Sequence, residues 1–314
     1  MKVHRDIQAL PAFRRAVVTI GTFDGVHLGH RRIISQLVDE ARRIDGETVI
    51  ITFHPHPRKI VRPDSVVHLI TTLDEKIGLL EQLGVDHLVV VPFVEAFANL
   101  TATGYIEDFL LKYFHPHSLI IGYDHKFGQG RKGDFHLLQQ YAENRNFHLI
   151  EIPQHLLHAS AVSSTRIRED LKKGDVEQAN ELLGYPYFFH GTVEEGNKLG
   201  RTIGYPTANI RVNDPDKIVP GNGVYAVQFN ILHPAFSATR YRGMMNIGIR
   251  PTINGTQQVI EVNLFDFNED IYGQPVRVTV FRYLRPEQKF SGLEALREQL
   301  AQDKLHATGA LSEL

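Results

Sequence analysis

Apolar residues recur along the first half of the chain in two alternating rhythms. AVVTI (residues 16–20), TVIITF (48–53), HLVVVPF (87–93), SLIIG (118–122) and FHLIEI (147–152) are short, nearly continuous runs rich in β-branched side chains. Such runs suit strands covered on both faces. The intervening LGHRRIISQLVDEARR (28–43), LDEKIGLLEQL (73–83), GYIEDFLLKYF (104–114) and DFHLLQQYAENR (134–145) instead space their apolar positions as helices do. Alternation of the two predicts an α/β domain with a doubly wound parallel sheet and ligands near the carboxyl ends of its strands. Thr72 and Glu75 have capping-box spacing at one helix start, and Gly84 is its expected stop. Ser163 or Ser164 is a candidate cap for TRIREDLKK, and Asp175 for VEQANELLG. This helix pair reads as the edge of the first domain, giving domains 1–184 and 185–314.

Beyond Gly184 the rhythm changes. GYPYFFHGTVEE, GVYAVQFNIL, ATRYRGMMNIG, VIEVNLFDF and PVRVTVFRYL follow one another without long helices. An antiparallel barrel or sandwich buries such strands without exposing their edges. LEALREQLAQDKL (293–305) then predicts a terminal helix.

The length of 314 residues suits two domains, and 42% hydrophobic residues promise a sizeable core. The 34 Lys and Arg against 36 Asp and Glu give a net charge of -2, which disfavours a general polyanion binder but permits a local phosphate site. A chain without cysteine has no disulfides, thiolate catalysis or cysteine-ligated metal. Together with the lack of a leader-like start or long apolar run, this points to the cytoplasm, with no membrane association.

IGTFDGVHLGHRR joins the first strand to the first helix. Gly21, Gly25 and Gly29 permit close backbone approach, and the helix start can present amides to phosphate oxygens. His27 and His30 can face one side of the helix and donate to a triphosphate. The alternative is a tight loop whose histidines satisfy nearby polar groups. GYDHKFGQGRKGD (122–134) and SSTRIRE (163–169) add hydroxyls and Arg166 or Arg168 as further phosphate partners. FHPHP places His54 and His56 at strand-like spacing, a pair that lacks a close third ligand for zinc. His115 and His117 read as loop or surface residues.

The second half opens with GTVEEGNKLGRTIGYPTANI. Gly196, Gly200 and Gly204 allow a close-packed phosphate loop, Arg201 adds a positive donor, and Thr207 and Asn209 can face the same way to serve a hard Mg²⁺ ion. A glycine-rich hairpin with a polar turn is the alternative. Glu261 is the candidate proton acceptor for an attacking alcohol, or else a charged edge-strand residue. Asp266 competes with it, or fixes a turn.

GTFDGVHLGH, FHPHP, GYDHKFGQGRKGD and SSTRIR resemble the N-terminal module of bacterial bifunctional riboflavin kinase/FAD synthetases, over residues 15–184. GTVEEGNKLGR, GYPTAN, VPGNGVYAV, GIRPT and EVNLFDFNEDIYG resemble the same family's C-terminal flavokinase module. The resemblance implies a nucleotidyltransferase-like domain followed by a flavokinase-like barrel. It implies that ATP phosphorylates riboflavin to FMN, and that AMP is then transferred from a second ATP to FMN, giving FAD and pyrophosphate. It assigns His27, His30, Ser164, Thr165, Arg166 and Arg168 to the triphosphate, with Gly21, Thr22, Phe23, Asp24, Gly25 and Gly29 shaping the site. Pro55 and His56 fall on the flavin side, and Asp124 at the family's acidic loop position.

In the second module the resemblance assigns magnesium and phosphate to Thr207 and Asn209, and the catalytic base to Glu261. Gly196, Gly200 and Arg201 are further nucleotide contacts, and Arg250 and Arg285 are weaker charge-stabilising or flavin-site candidates. Mg²⁺, ATP, riboflavin, FMN and FAD are then the small-molecule partners, with no obligatory nucleic acid. The pattern departs from the family at Tyr123 and His125, where phenylalanines are usual. A monofunctional enzyme, an RNA-binding protein and a noncatalytic flavin binder remain the competing readings at this level.

Overall fold

The apolar runs of the first half become a six-stranded parallel sheet in the order β1-β4-β3-β2-β5-β6. The strands are β1 (Lys2–His4), β2 (Val17–Ile20), β3 (Thr48–His54), β4 (His87–Pro92), β5 (Ser118–Gly122) and β6 (His148–Ile152). These positions come from a computed structural model that describes the chain apart from residues 124, 154–161, 197–198, 237–238, 253–254 and 313–314. Residues 199, 251–252 and 255–257 are described by backbone alone. β1 was not foreseen: three residues with one apolar side chain carry no periodic signal, and the strand forms by pairing Lys2 with His87 and His4 with Val89.

From β2 the chain builds β3 and β4 on one side, then crosses to β5 on the other. That reversal makes the carboxyl ends of β2 and β5 the topological switch point, where doubly wound sheets bind ligands in a crevice. The helix Leu28–Ile44 buries Ile34, Leu37 and Ala41. The capping box of the helix Leu73–Glu81 forms as its spacing predicts, with Thr72 N–H donating to Glu75 at 2.9 Å and Glu75 N–H to Thr72 Oγ1 at 3.3 Å. The segment read as one helix over 104–114 runs from Ala102 to Phe114 with a wider, π-helical stretch at Tyr105–Leu111.

In the second half, β7 (Tyr187–Glu194), β8 (Ala208–Val212), β9 (Gly223–Ile231), β10 (Tyr241–Thr252), β11 (Gly255–Leu264) and β12 (Pro275–Arg285) close into a six-stranded antiparallel barrel. The terminal helix Leu293–Ser312 lays Ala307, Ala310 and Leu311 against Ala226, Met244 and Phe265. Its fastener is Asp303, almost fully buried, whose carboxylate accepts from Arg285 Nε at 2.8 Å and Nη2 at 2.7 Å. Arg285 is therefore occupied in holding the helix, which is how the structure uses this weaker site candidate.

The chain divides into two compact units, Met1–Ser164 and Thr165–Leu314. The helices Ser164–Lys173 and Val176–Leu183, read from sequence as the edge of the first domain, pack on the barrel. Asn180 Nδ2 donates to the Val280 carbonyl at 3.0 Å, its Oδ1 accepts from Tyr187 N–H at 2.6 Å, and Gly221 N–H donates to the Leu171 carbonyl at 2.8 Å. An amphipathic pattern shows which helix face is buried; which module receives it is decided by these contacts.

Candidate functional site

In the first unit the loop leaving β2 is drawn tight at the crevice. Gly21 N–H donates to the Ile51 carbonyl at 3.0 Å, and Thr52 Oγ1 donates to the Thr22 carbonyl at 3.2 Å. Phe23 and Val26 take left-handed φ values of 47° and 38°. Gly25 has φ 87°, and a Cβ there would stand 3.0 Å from Ile70 Cγ2, so glycine is required twice over. The Asp24 side chain is buried and faces inward. Its Oδ1 accepts from Ile70 N–H and Thr71 N–H, each at 3.0 Å. Asp24 thus shapes the loop by tying it to the segment before the helix Leu73–Glu81.

His27 caps the next helix, its Nδ1 accepting from His30 N–H at 3.3 Å. That role places the proton of the neutral ring on Nε2. The His27 and His30 rings stack with centroids 3.6 Å apart and 15° between planes, as the three-residue spacing predicts. Gly29 makes room for the His27 ring, since a Cβ would meet its Cε1 at 3.2 Å. Phe23 meets His30 edge-on, with centroids 5.2 Å apart. The structure thereby gathers two imidazoles and a helix start in the crevice.

Ser164 joins this loop, its hydroxyl donating to the Asp24 carbonyl at 3.1 Å. Thr165, Arg166 and Arg168 follow on the same helix within the second unit, with Thr165 and Arg166 exposed. Burial pushes the Asp170 carboxyl above its ordinary range, and Arg166 Nε, 3.8 Å away, opposes that shift. Pro55 follows the end of β3. His56 caps the short helix Pro57–Val61, its Nδ1 accepting from Arg58 N–H at 3.2 Å. Asp124 lies outside the described residues. Among the described residues no three His, Asp or Glu side chains gather to hold a metal, so the FHPHP histidines find no zinc partners there.

Sequence reasoning missed an aromatic run near the carboxyl ends of these strands. Phe53 and Phe93 lie 5.4 Å apart between centroids, Phe97 is 5.5 Å from each, and Tyr105 stacks on Phe127 at 4.9 Å. It also missed Lys76, which shares a helical face with Leu79, Leu80 and Leu83. A lysine on an apolar stripe was the available signal.

In the second unit, strand register assembles the other cluster. Asn209 on β8 pairs directly with Glu261 on β11, so the two side chains leave neighbouring strands side by side. Thr207 precedes Asn209 by two residues, immediately before β8 begins. Arg250 Nη2 donates to Glu261 Oε1 at 2.8 Å, holding the carboxylate. Asn263 Nδ2 donates to the Pro206 carbonyl at 2.7 Å, fixing the approach to Thr207. Gly196 lies against the Asn209 amide, where a Cβ would overlap Nδ2, and a Cβ at Gly200 would overlap the Tyr205 carbonyl and come within 3.6 Å of Thr207 Oγ1. Arg201 is exposed on the short helix Leu199–Thr202. Asp266 has φ 55° and stands 3.8 Å from Lys304, a turn residue rather than a partner of this cluster.

The Gly196 contact makes a testable demand. Gly196→Ala pushes the Asn209 amide aside and is expected to lower the kinase activity that the sequence resemblance implies for this unit by about tenfold or more, with the adenylyl transfer implied for the first unit unchanged. Steady-state rates of the two half-reactions on the full-length variant measure this.

A strand-to-helix loop with two stacked imidazoles in one unit and a Thr/Asn/Glu cluster in the other are the candidate sites of a two-module transferase. The FAD synthetase family matches residues 10–166 and the riboflavin kinase family residues 183–311. The bifunctional riboflavin kinase/FMN adenylyltransferase of Haemophilus influenzae is 40% identical over 286 residues, covering 91% of each chain, and that of Listeria monocytogenes is 38% identical over 290 residues, covering 92% of this chain and 90% of its own. The chain belongs to the bacterial bifunctional riboflavin kinase/FMN adenylyltransferase family. A crystal structure named as a macrolide-efflux protein from Streptococcus pneumoniae shares the fold throughout, with a TM-score of 0.87, 31% identity and 98% of each chain covered. Among the described residues of the present chain no helix is long and apolar enough to cross a membrane.

Proposed function

We propose that the chain phosphorylates riboflavin with ATP to give FMN and ADP, then transfers AMP from a second ATP to FMN, giving FAD and pyrophosphate. The observation that supports this reading is that the His27 and His30 pair lies in one compact unit, and Asn209, Glu261 and Arg250 in the other, within the spans matched by the FAD synthetase and riboflavin kinase families respectively. Adenylyl transfer is assigned to residues 1–184 and the kinase to residues 185–314. The ATP dependence of both steps supports a cytoplasmic setting.

In the first unit an FMN phosphate oxygen attacks the α-phosphorus of ATP and the bond to pyrophosphate breaks, with no enzyme nucleophile. His27 Nε2–H, His30 and the amides opening the helix Leu28–Ile44 hold the triphosphate as charge moves onto the leaving group. Ser164, whose hydroxyl bonds the Asp24 carbonyl, supplies a further donor, and the family resemblance alone adds Thr165, Arg166 and Arg168. Gly21, Thr22, Phe23, Asp24, Gly25 and Gly29 set the backbone that permits this approach. Pro55 and His56 stand on the flavin side, as does Asp124 by resemblance alone.

In the second unit Glu261 takes the proton of the riboflavin hydroxyl as its oxygen attacks the γ-phosphorus of ATP. Arg250, already hydrogen-bonded to that carboxylate, orients it. Thr207 Oγ1 and Asn209 Oδ1 are oxygen donors of the kind Mg²⁺ prefers, beside a carboxylate and in a cradle that a Cβ at Gly196 would fill. They would hold the ion with the nucleotide phosphates, and bound Mg²⁺ would offset the triphosphate charge. Gly196, Gly200 and Arg201 line the phosphate loop.

Position-specific label tests the assignment. With ATP labelled at the γ-phosphorus, label enters FMN; with ATP labelled at the α-phosphorus and unlabelled FMN, label enters FAD and none enters pyrophosphate. Label distributed otherwise overturns the proposed sites of attack.

A further inference from the structure

The helix Leu73–Glu81 contributes no residue to either site as assigned above, yet it carries a nearly fully buried lysine directed at the triphosphate loop. Lys76 is 6% exposed. Its Nζ donates to Thr52 Oγ1 at 3.4 Å, and the Thr52 hydroxyl donates onward to the Thr22 carbonyl at 3.2 Å. Thr52 is itself fully buried on β3, which lies between this helix and the loop. The segment leading into this helix is also tied to the loop, because Asp24 accepts the N–H groups of Ile70 and Thr71 just before the capping box of Thr72 and Glu75. Thr22 is thus anchored to the helix through Thr52 and Lys76, and Asp24 to the two residues that precede the helix cap.

A lysine on this helix face is costly. Burial lowers its pKa to about 8, with the Asp24 carboxylate acting in the opposite direction. A methionine of similar length would fill the space without desolvating a charge. Packing alone gives no reason for the ammonium; the loop it supports does.

We infer that Lys76 is a positioning residue for adenylyl transfer, which acts through Thr52 to hold the backbone of the triphosphate loop in place. The inference rests on the adenylyltransferase reading of the first unit. Lys76 touches neither substrate. Through Thr52 it holds the Thr22 carbonyl, while Ile70 and Thr71 hold the Asp24 carboxylate, and together these links set the direction in which the intervening amides and the His27 cap are presented. Its ammonium also leaves a positive charge behind a loop that receives a polyanion.

The test uses the full-length protein with Lys76→Met, Thr52→Val and Thr52→Ser. Lys76→Met and Thr52→Val remove the link with little change of shape, and both are expected to lower kcat/KM for FMN adenylylation by about tenfold or more, while riboflavin phosphorylation by the same protein stays within about twofold. Thr52→Ser, which keeps the hydroxyl, retains adenylylation. The melting temperature of Lys76→Met is unchanged or higher, a result that separates positioning from support of the fold. Hydrogen exchange of the amides of residues 21–26 is faster in Thr52→Val than in Thr52→Ser.

Undiminished adenylylation in Lys76→Met and Thr52→Val overturns the inference, as does equal loss in Thr52→Ser or a parallel fall in the kinase rate. If the unmodified protein makes no FAD, it is the assigned reaction that fails. The exchange comparison then decides the brace by itself: equal exchange in the two Thr52 variants refutes it.

Discussion

Glu261→Gln lowers conversion of riboflavin to FMN by about a thousandfold, within the range for loss of a general base, and leaves conversion of FMN to FAD untouched. The reason lies in the register. β11 places Glu261 opposite Asn209, and Arg250 Nη2 holds one carboxylate oxygen at 2.8 Å. Glutamine keeps the size, the strand position and an oxygen for Arg250 to donate to, but it does not take a proton at neutral pH. Binding of ATP therefore persists and the chemical step fails, so kcat falls with little change in KM. Parallel assays started from riboflavin and from FMN measure the split. A variant that still makes FMN at the normal rate would return Glu261 to the role of a strand residue paired with arginine.

The second large effect belongs to His27, whose ring has two separable duties. Its Nδ1 caps the helix Leu28–Ile44, and the proton on Nε2 is assigned to the triphosphate. Asparagine is among the best N-cap residues, so His27→Asn preserves the cap while removing the imidazole, whereas His27→Ala loses both and costs about 1 kcal/mol of stability. Both variants lower adenylyl transfer by about a hundredfold or more, the scale for losing one preorganised donor. Only His27→Ala lowers the melting temperature. If His27→Asn instead retains full adenylyl transfer, the ring acts by capping alone.

Much of this architecture is legible in the sequence because burial on both faces leaves a continuous apolar strand, and burial on one side leaves a helical stripe. The runs at 48–53, 87–93 and 118–122 needed nothing more, and the Thr72 capping box announced its helix by local spacing. β1 left no such trace, since its three residues depend on pairing with β4. The helices from Ser164 to Leu183 were visible as helices, but their docking on the barrel depends on Asn180 and Leu171 meeting groups far along the chain.

The sites divide along the same line. Stacking of His27 on His30 follows from a three-residue spacing at a helix start. The inward turn of Asp24 does not, because its partners Ile70 and Thr71 lie 46 and 47 residues further on. Thr207 and Asn209 are paired by sequence alternation alone, whereas Glu261 comes beside Asn209 through the pairing of β8 with β11. Arg285 illustrates the same limit: the resemblance made it a weak site candidate, and its pairing with Asp303 of the terminal helix could not be read from the sequence.

The central claim, that two units of one chain perform successive ATP-dependent steps on a flavin, is tested most directly by following riboflavin, FMN, FAD, ADP and pyrophosphate together. The purified full-length protein is incubated with riboflavin, ATP and Mg²⁺, beside a reaction started from FMN. The account predicts that FMN appears first and FAD after a lag, with one ADP formed per riboflavin consumed and one pyrophosphate per FAD, and that the FMN-started reaction forms FAD without ADP. Failure to convert either flavin, or FAD formed without the matching pyrophosphate, would contradict it.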